Sequence, residues 1–379
     1  MRSGEHLVYA ALTPWVGVQL DRYGARWMMV TGACLTVSGF LLLGHVQNFL
    51  QFVLVRMSLL AVGHALVCYF VVNVTVSRWF VKKRGRALAI AHTGHGLAKV
   101  TISLVVAWLL VSIGWRQVWT LFGALVFVLV VIPAGTLMRR SPEDMGLHPD
   151  GAPGPAAGSL EGDEHEKRVK AQDEPGDEVR WTRREVMRTS TFWLLVFIFS
   201  MVDVGITGLN LHVVAYVSDA GYSTVLAASA MTVIAGTQLM SGLLWGFVSE
   251  RVSIRKVTSS LFLIQAMGLL VAMNAPGLPF LYLGFFLYGT GLGGVQILQE
   301  IMWANYFGRL SLGTVRGTSL PIVLLFGASG PPFFGFLFDY TGSYTISFSF
   351  FVLVLLISSS LTLLLRQPRK TTSAPSRAC

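Results

Sequence analysis

Charge is scarce in this sequence. Of its 379 residues only 13% are charged, whereas 53% are hydrophobic and the mean hydropathy is +0.62. A soluble domain is about one quarter charged, so a chain of this composition cannot give itself a surface that water would solvate. The sequence therefore excludes two ordinary soluble domains and predicts a protein that is solvated by lipid.

Cysteine clusters and catalytic patterns are also missing. The three cysteines Cys34, Cys68 and Cys379 have neither the spacing of a disulfide framework nor that of a metal site. No nucleophile–base pair stands out, and the glycines at 289–294 lie inside an apolar run, where they indicate close helix packing rather than a phosphate-binding loop. We therefore expect no metal, no cofactor and no enzymatic activity.

Long apolar runs are what the sequence has instead. A membrane-spanning helix needs roughly 20 mostly apolar residues, and ten such runs follow a shorter one at 7–20. We therefore predict an all-α polytopic membrane protein with about 11 transmembrane helices, five before a polar segment and six after it. The ten runs are 27–43, 49–77, 87–113, 118–138, 192–217, 225–249, 257–274, 280–299, 318–338 and 344–365.

The polar segment at 139–190 divides the chain. It holds 12 of the 19 acidic residues and a stretch rich in Gly, Pro and Ala, so it is predicted to be largely disordered. Its end differs, because Thr182 and Glu185 have the spacing of a capping box that starts a short amphipathic helix. The predicted parts are an N-terminal bundle at 1–138, a cytoplasmic linker at 139–190, a C-terminal six-helix bundle at 191–366 and a cytoplasmic tail at 367–379.

Basic residues predict the orientation in the membrane. The formal charge of +10 could suggest nucleic acid, but 25 of the 29 Lys and Arg residues fall in alternate loops and the C-terminal tail, on the side that begins with Arg22 and Arg26. Basic loops stay in the cytoplasm. We therefore expect a multi-pass protein of the cell or inner membrane, with the N-terminus as given outside, the C-terminus inside and no nucleic-acid partner.

Three short sequence features of the first half of the chain recur in the second half. They recur in the same order and at nearly one offset, between 228 and 232 residues. Such a repeat indicates two homologous halves, as in many secondary transporters. The pairs are the ten-residue segments at 17–26 and 246–255, Arg84-Gly85 and Arg316-Gly317, and Gly114 and Gly342.

Five motifs carry a resemblance to a known family. D-R-Y-G-A-R at 21–26 resembles the signature loop of the major facilitator superfamily, and four longer motifs resemble its bacterial oxalate/formate-antiporter and monocarboxylate-transporter-like branch. The resemblance implies two pseudo-symmetric helical bundles around a midplane site, and we expect a monomer. The four motifs are S-R-W-F-V-K-K-R-G-R-A-L-A (77–89), L-H-V-V-A-Y-V-S-D-A-G-Y-S (211–223), Y-F-G-R-L-S-L-G-T-V-R-G (306–317) and G-F-L-F-D-Y-T-G-S-Y (335–344).

The sequence departs from the family pattern at two places. The signature loop should follow the second span but here follows the first, so a first helix is missing, and we expect an in-frame apolar stretch of about 20 residues before Met1. The branch usually carries an Arg in its eighth span, where this sequence has Gly242. The family's anion-binding Arg therefore cannot be carried over to this chain.

Three charged residues lie deep in predicted spans: Arg56, Lys99 and Asp203. Burying an ion in hydrocarbon is costly, so each is a candidate for substrate or proton binding. Arg56 resembles the superfamily's Arg in the fourth family span. His92, His95 and Lys99 have helical spacing and would line one face; the alternative for that face is hydrogen bonding that only fastens the bundle.

Asp203 is the one acid that the sequence places at midplane depth. It is a candidate for a proton-titrating group or for a counter-ion of Lys99 or Arg56; a fixed ion pair is the alternative. With all three ionised the site would carry a net charge of +1, which favours an anionic substrate. Asn210 and His212 follow on the same span and are candidates for substrate contact.

The two signature loops are predicted to gate access to the site. Carboxylates and guanidiniums at the cytoplasmic ends of neighbouring helices can pair in one access state and separate in the other. The alternative is that these charges only set the topology. The candidates are Asp21, Arg22, Arg26, Glu250, Arg251 and Arg255.

Secondary active transport is the function that these patterns favour. We expect alternating access, a small organic anion such as a monocarboxylate or dicarboxylate as substrate, and proton symport or antiport. Export of amphiphilic compounds is one alternative, and a non-transporting membrane sensor or degenerate fragment is another.

Overall fold

The computed structural model describes residues 2–151 and 180–368. Within these ranges the chain forms helices and turns and no strand, which confirms the all-α class. His95 and Lys99 belong to a described helix, but their side chains lie outside the described part of the structure.

The N-terminal half consists of helices that follow the apolar runs. A π-helical turn at Arg56–Leu60 joins α3 to α4, and another at Phe127–Val131 joins α6 to α7. The 43-residue α6 merges two predicted spans, and Gly114 (φ 76°) breaks it between them. The helices are α1 (Arg2–Tyr23), α2 (Ala25–Gly44), α3 (Phe49–Val55), α4 (Ala61–Val67), α5 (Tyr69–Trp79), α6 (Arg84–Val126) and α7 (Ile132–Thr136).

The C-terminal half has a short helix followed by long ones. Hydroxyl side chains cap three of the helix starts by accepting a backbone N–H: Thr182 caps α8, Thr189 caps α9 and Ser223 caps α10. Gly342 (φ 68°) ends α13 and corresponds in the repeat to Gly114, so both members of this pair occupy the left-handed region that favours glycine. The helices are α8 (Arg183–Met187), α9 (Ser190–Asp219), α10 (Thr224–Ser249), α11 (Ile254–Met273), α12 (Leu278–Phe307), α13 (Leu312–Thr341) and α14 (Thr345–Leu364).

Nine helical segments of the described residues are long and apolar enough to cross a membrane. α1, with 22 residues, and the part of α6 before Gly114 are long enough but more polar. With these two the helices follow the predicted order of five and six. Large side chains such as Trp108, Val111 and Met240 are exposed, as expected where the outer surface contacts lipid.

Two helix pairs join the halves: α1 packs against α13, and α6 packs against α10. Several loops and the helix ends beside them meet at one end of these pairs, where ion pairs and hydrogen bonds connect them. They comprise residues 21–26, 78–86, 250–256 and 308–311. We call this end the basic face.

The described parts of the linker lie on either side of residues 152–179. Thr182 and Glu185 form the predicted capping box at the start of α8. Residues 139–151 form two 3-10 turns, Glu143–Met145 and Pro149–Gly151, which contact the basic face. The rest of the predicted disordered segment, and the tail from 369, lie outside the described residues.

Candidate functional site

The carboxylate of Asp21 joins the two halves at the basic face. It lies near the end of α1 and accepts hydrogen bonds from the backbone N–H groups of Gly313 (3.0 Å) and Thr314 (2.5 Å), at the start of α13. A helix N-terminus carries partial positive charge, which a carboxylate stabilises. Arg78 of α5 donates to the same carboxylate at 2.6 Å, and only 13% of the Asp21 side chain is exposed. Asp21 therefore binds one cation of its own half and one helix terminus of the other half.

Glu250 caps a helix of the opposite half in the same way, but its cation also comes from that opposite half. It follows α10, and its carboxylate accepts the backbone N–H of Arg86 in the first turn of α6 at 2.9 Å. The Arg86 guanidinium pairs with the other carboxylate oxygen at 2.7 Å. The two copies of the repeated segment thus each supply an acid that caps a helix of the opposite half.

Glycine allows the helix backbones to meet beside these acids. A Cβ added at Gly17 would overlap the carbonyl oxygen of Gly313, and one added at Gly85 would overlap that of Gly246. The first pair lies at the contact of α1 with α13 and the second at the contact of α6 with α10. The two halves are therefore in direct backbone contact, and the basic face is closed.

In the described part of the chain, the four other predicted gating residues form no hydrogen bond or ion pair between the halves. Arg26 donates to a carbonyl oxygen of α7 at 2.5 Å, and Arg255 donates to one that follows α14 at 3.0 Å, so each instead fastens helices of its own half. Arg22 and Arg251 are exposed.

A cavity of about 540 Å³ lies between the halves, where α5 and α6 face α10 and α12. This volume is within the range of sites for small organic molecules. Of the predicted site residues, His92 lines the cavity, and Gly242, which stands where the branch carries Arg, forms part of its wall. The polar side chains on the wall are Tyr69, His92, Thr93, Thr232, Gln238 and Gln296.

A smaller cavity of about 50 Å³ has Tyr69 and Gln296 in common with the larger one. Its volume is sufficient for water. Asp203 of α9 and Arg316 of α13 also line it. Among the described side chains, none forms a hydrogen bond or ion pair with the Asp203 carboxylate, so the predicted fixed pair with Arg56 is not formed.

Arg316 forms a buried ion pair with Glu300 beside this small cavity. Its Nε and Nη2 donate to the Glu300 carboxylate at 2.7–3.1 Å, and the side chains are 1% and 0% exposed. Because the predicted span begins at residue 318, the sequence pattern placed Arg316 among the loop cations. This prediction is wrong, since Arg316 is the fifth residue of α13. The repeat is the signal that could have revealed it, because the matching Arg84 is also buried and starts α6.

Arg56 is not among the residues that line either cavity. It forms a salt bridge with Glu5 of α1, with Nε and Oε1 2.5 Å apart, and its guanidinium lies over the Phe52 ring. Its charge is therefore balanced locally and does not contribute to the expected excess of +1. Glu5 lies outside the apolar runs, so the sequence pattern did not point to it.

The side chain of His212 makes hydrogen-bond contacts within the C-terminal half. Its Nδ1 lies 3.1 Å from the Tyr344 hydroxyl and its Nε2 lies 3.1 Å from the Pro331 carbonyl oxygen. These contacts connect α9 with α13 and with Tyr344, the residue before α14. Neither His212 nor Asn210 is among the residues that line the two cavities.

The side chains of His95 and Lys99 lie outside the described part of the structure. The backbone of α6 runs through both positions. Residues three, four and seven apart share a helix face, and position 99 is therefore on the same face as His92 and Gly96, two residues that line the larger cavity.

Comparison with known proteins assigns the chain to a family. The family model described as Major Facilitator Superfamily matches residues 6–318. Bovine monocarboxylate transporter 13 is 25% identical over 332 residues, which cover 86% of this chain and 70% of that protein. The oxalate:formate antiporter of Oxalobacter formigenes is 25% identical over 265 residues, which cover 69% of this chain but only 56% of the antiporter.

Solved structures have the same fold. The E. coli fucose:proton symporter FucP has a TM-score of 0.71 at 13% identity, covering 97% of this chain and 90% of that one. The human organic anion transporter MFSD10 has a TM-score of 0.70 at 17% identity, covering 95% and 82%. At these identities the likeness concerns the fold alone. With the family match over most of the sequence, the chain belongs to the Major Facilitator Superfamily, a family of multi-pass membrane transporters of small molecules and not of enzymes.

Proposed function

We propose that the protein is a secondary transporter of small organic anions, such as monocarboxylates or dicarboxylates, and that its two halves alternate access to the larger cavity. The observation that carries this proposal is the charge of the cavity wall. Its described lining includes His92 and neutral polar groups but no Asp or Glu, and Lys99 belongs to the same face of α6. An anion entering there meets a cation and no like charge.

The named relatives support the same substrate class. Two of them are named for monocarboxylates and for oxalate and formate. Gly242 leaves the wall without the Arg of that branch, so in this chain Lys99 supplies the positive charge.

Asp203 is our candidate for the proton-binding group. It lines the small cavity, which meets the larger one at Tyr69 and Gln296. A carboxylate inside the membrane without a described partner is suited to carry a proton between the two sides. Uptake that accelerates under an imposed pH gradient tests this coupling.

The basic face is, in this proposal, the cytoplasmic one. Its loops carry most of the cations, as basic loops in the cytoplasm do. With this face closed by Asp21 and Glu250, the cavity is accessible from outside, and opening the face requires both caps to separate.

Uptake by proteoliposomes that contain the full-length protein tests the anion proposal. Lys99→Ala should abolish uptake of labelled carboxylates, and Lys99→Arg should retain part of it because the charge remains. Lys256→Ala is the matched control, since Lys256 is an exposed cation of the basic face and lines neither cavity. Normal carboxylate uptake by Lys99→Ala would contradict the proposal.

Export of amphiphilic compounds is a second candidate, favoured by the apolar part of the same wall. Ala235, Leu239 and Leu292 line the cavity beside its polar groups, which suits a ligand with an apolar body. Preference for cationic amphiphiles over carboxylates in the same vesicles would select this candidate.

A further inference from the structure

The first residues of the linker bind the loop that precedes α6. The Asp150 carboxylate accepts hydrogen bonds from three successive backbone N–H groups, those of Val81, Lys82 and Lys83, at 2.8–3.2 Å. Successive N–H groups that converge in this way form an anion-binding concavity. Here a carboxylate of the chain itself fills it, directly before the helix that Glu250 caps.

Asp150 adopts an unfavourable backbone conformation in this contact. Its φ is 63°, and it is the one non-glycine residue with a positive φ in the described ranges. A side chain in this region meets steric cost, so the contact with the loop has to outweigh it. The contact is therefore specific to this arrangement of the turn Pro149–Gly151.

Glu143, in the neighbouring turn, reaches the other half of the molecule. Its carboxylate pairs at 2.6 Å with Arg309, which lies in the loop between α12 and α13. Arg309 also donates to the backbone carbonyl of Arg78 at 3.0 Å, and Arg78 pairs with Asp21. A continuous set of contacts thus connects Glu143 to the acid that caps α13.

The other described end of the linker holds the same loop. The backbone N–H of Trp181 donates to the Ser311 hydroxyl at 2.7 Å, and the Trp181 ring meets the Phe307 ring edge-on, with centroids 5.6 Å apart. The linker residues on both sides of 152–179 therefore contact the loops that precede α6 and α13. These are the two helices whose N-termini Glu250 and Asp21 cap across the halves.

We propose that residues 139–151 are a further part of the gate, a latch in which Glu143 is a gating residue and Asp150 is the residue that positions it. The latch stabilises the state in which the basic face is closed. The proposal rests on the alternating-access part of the proposed function and does not depend on the substrate.

The mechanism of the latch follows from which half each contact belongs to. Residues 139–151 continue from α7 and are held by Asp150 on the loop at 81–83, so they move with the N-terminal half. Arg309 moves with the C-terminal half. Opening the basic face separates the halves and therefore breaks the Glu143–Arg309 pair. A contact that exists in one state only shifts the equilibrium toward that state.

Distances between two spin labels measure this equilibrium in the full-length protein in lipid bilayers. The labels are attached at Tyr23→Cys and Val252→Cys, two exposed positions at the ends of α1 and α10, after the three native cysteines have been replaced by Ala. Opening of the basic face lengthens the distance between the labels. Double electron–electron resonance gives the ratio of long to short distances.

We expect Glu143→Ala to raise this ratio about threefold, a change of about 0.6 kcal/mol, because the Glu143 side chain is 45% exposed and water screens the pair. Asp150→Ala should raise it similarly and Asp150→Asn less, because Asn keeps one acceptor oxygen. Asp144→Ala is the matched control, since Asp144 is an exposed acid in the same turn as Glu143, and it should leave the ratio unchanged.

Unchanged ratios in Glu143→Ala and Asp150→Ala would overturn the latch, and so would an equal shift in Asp144→Ala. Failure of the substrate proposal is a different result: the variants shift the distances as expected, but the wild-type protein moves no carboxylate. Transport of carboxylates with no shift in the variants overturns the latch alone.

Discussion

Arg316 and Glu300 place a full positive and a full negative charge inside the C-terminal half with almost no exposure. Mutual attraction offsets the loss of hydration only while both partners are present. The pair also lies beside the cavity that Asp203 lines, so it fixes one wall of the compartment that we assign to the proton. The loss in the free energy of unfolding should therefore depend on whether one partner of the pair or both are replaced.

Arg316→Met or Glu300→Leu alone should destabilise the protein by about 3–5 kcal/mol, because each leaves an unpaired buried charge. The double variant should recover most of this loss, since neither charge of the pair is left without its partner. Thermal unfolding of the purified protein in detergent measures all three. A double variant as unstable as the single ones would indicate that the pair contributes more than charge balance.

At the scale of helices, the closed basic face depends on two acids and two glycine contacts. Asp21 and Glu250 each cap a helix of the opposite half, and glycine at Gly17 and Gly85 lets the backbones touch there. In our proposal these contacts are present in only one of the two access states. Loss of these contacts should therefore change the rate at which the access states interconvert more than it changes the affinity of the cavity for substrate.

Asp21→Ala should slow turnover while substrate affinity stays within about tenfold, or about 1.4 kcal/mol. Arg26→Ala is the comparison, because Arg26 binds a carbonyl oxygen of its own half at 2.5 Å and should slow turnover less. Initial uptake rates over a range of substrate concentrations separate the two parameters. Lost binding with unchanged turnover in Asp21→Ala would place this residue in the substrate site.

The helices and the matching positions of the two capping acids could be predicted from the sequence, whereas several side-chain partners could not. Span length is set by the thickness of the bilayer, and the repeat of 17–26 at 246–255 anticipated that Asp21 and Glu250 have matching places. Glu5 and Glu143 are acids in polar surroundings, and nothing local distinguishes them. Their partners Arg56 and Arg309 are 51 and 166 residues away, so only the fold brings them together.

At the scale of the whole molecule, the linker connects the two halves through contacts that should not respond to physiological pH. Burial alone would raise the pKa of Asp150, but the backbone N–H groups of Lys82, Lys83 and Val81 and the charge of Lys83 bring it below its ordinary value. Because this pKa is lowered, the stabilisation that ionised Asp150 gives to the folded contact is complete above the ordinary value of about 3.9. It is lost only as the pH falls through the lower pKa of the folded state.

The effect of Asp150→Ala on the spin-label distances should therefore be the same at about pH 6 and about pH 8, because both lie well above the ordinary pKa of a carboxyl group. The same double electron–electron resonance measurement at the two pH values checks this. An effect that disappears at the lower pH would mean that another titrating group controls the latch.

Counterflow in proteoliposomes tests most directly that the protein is a transporter of organic anions with alternating access. Vesicles are loaded with an unlabelled carboxylate and diluted into a trace of the labelled compound. A carrier that alternates access exchanges the two, so we expect transient accumulation of label in wild-type vesicles and none with Lys99→Ala. This function would be contradicted if wild-type vesicles accumulated no labelled carboxylate. Counterflow of labelled cationic compounds alone would contradict it as well.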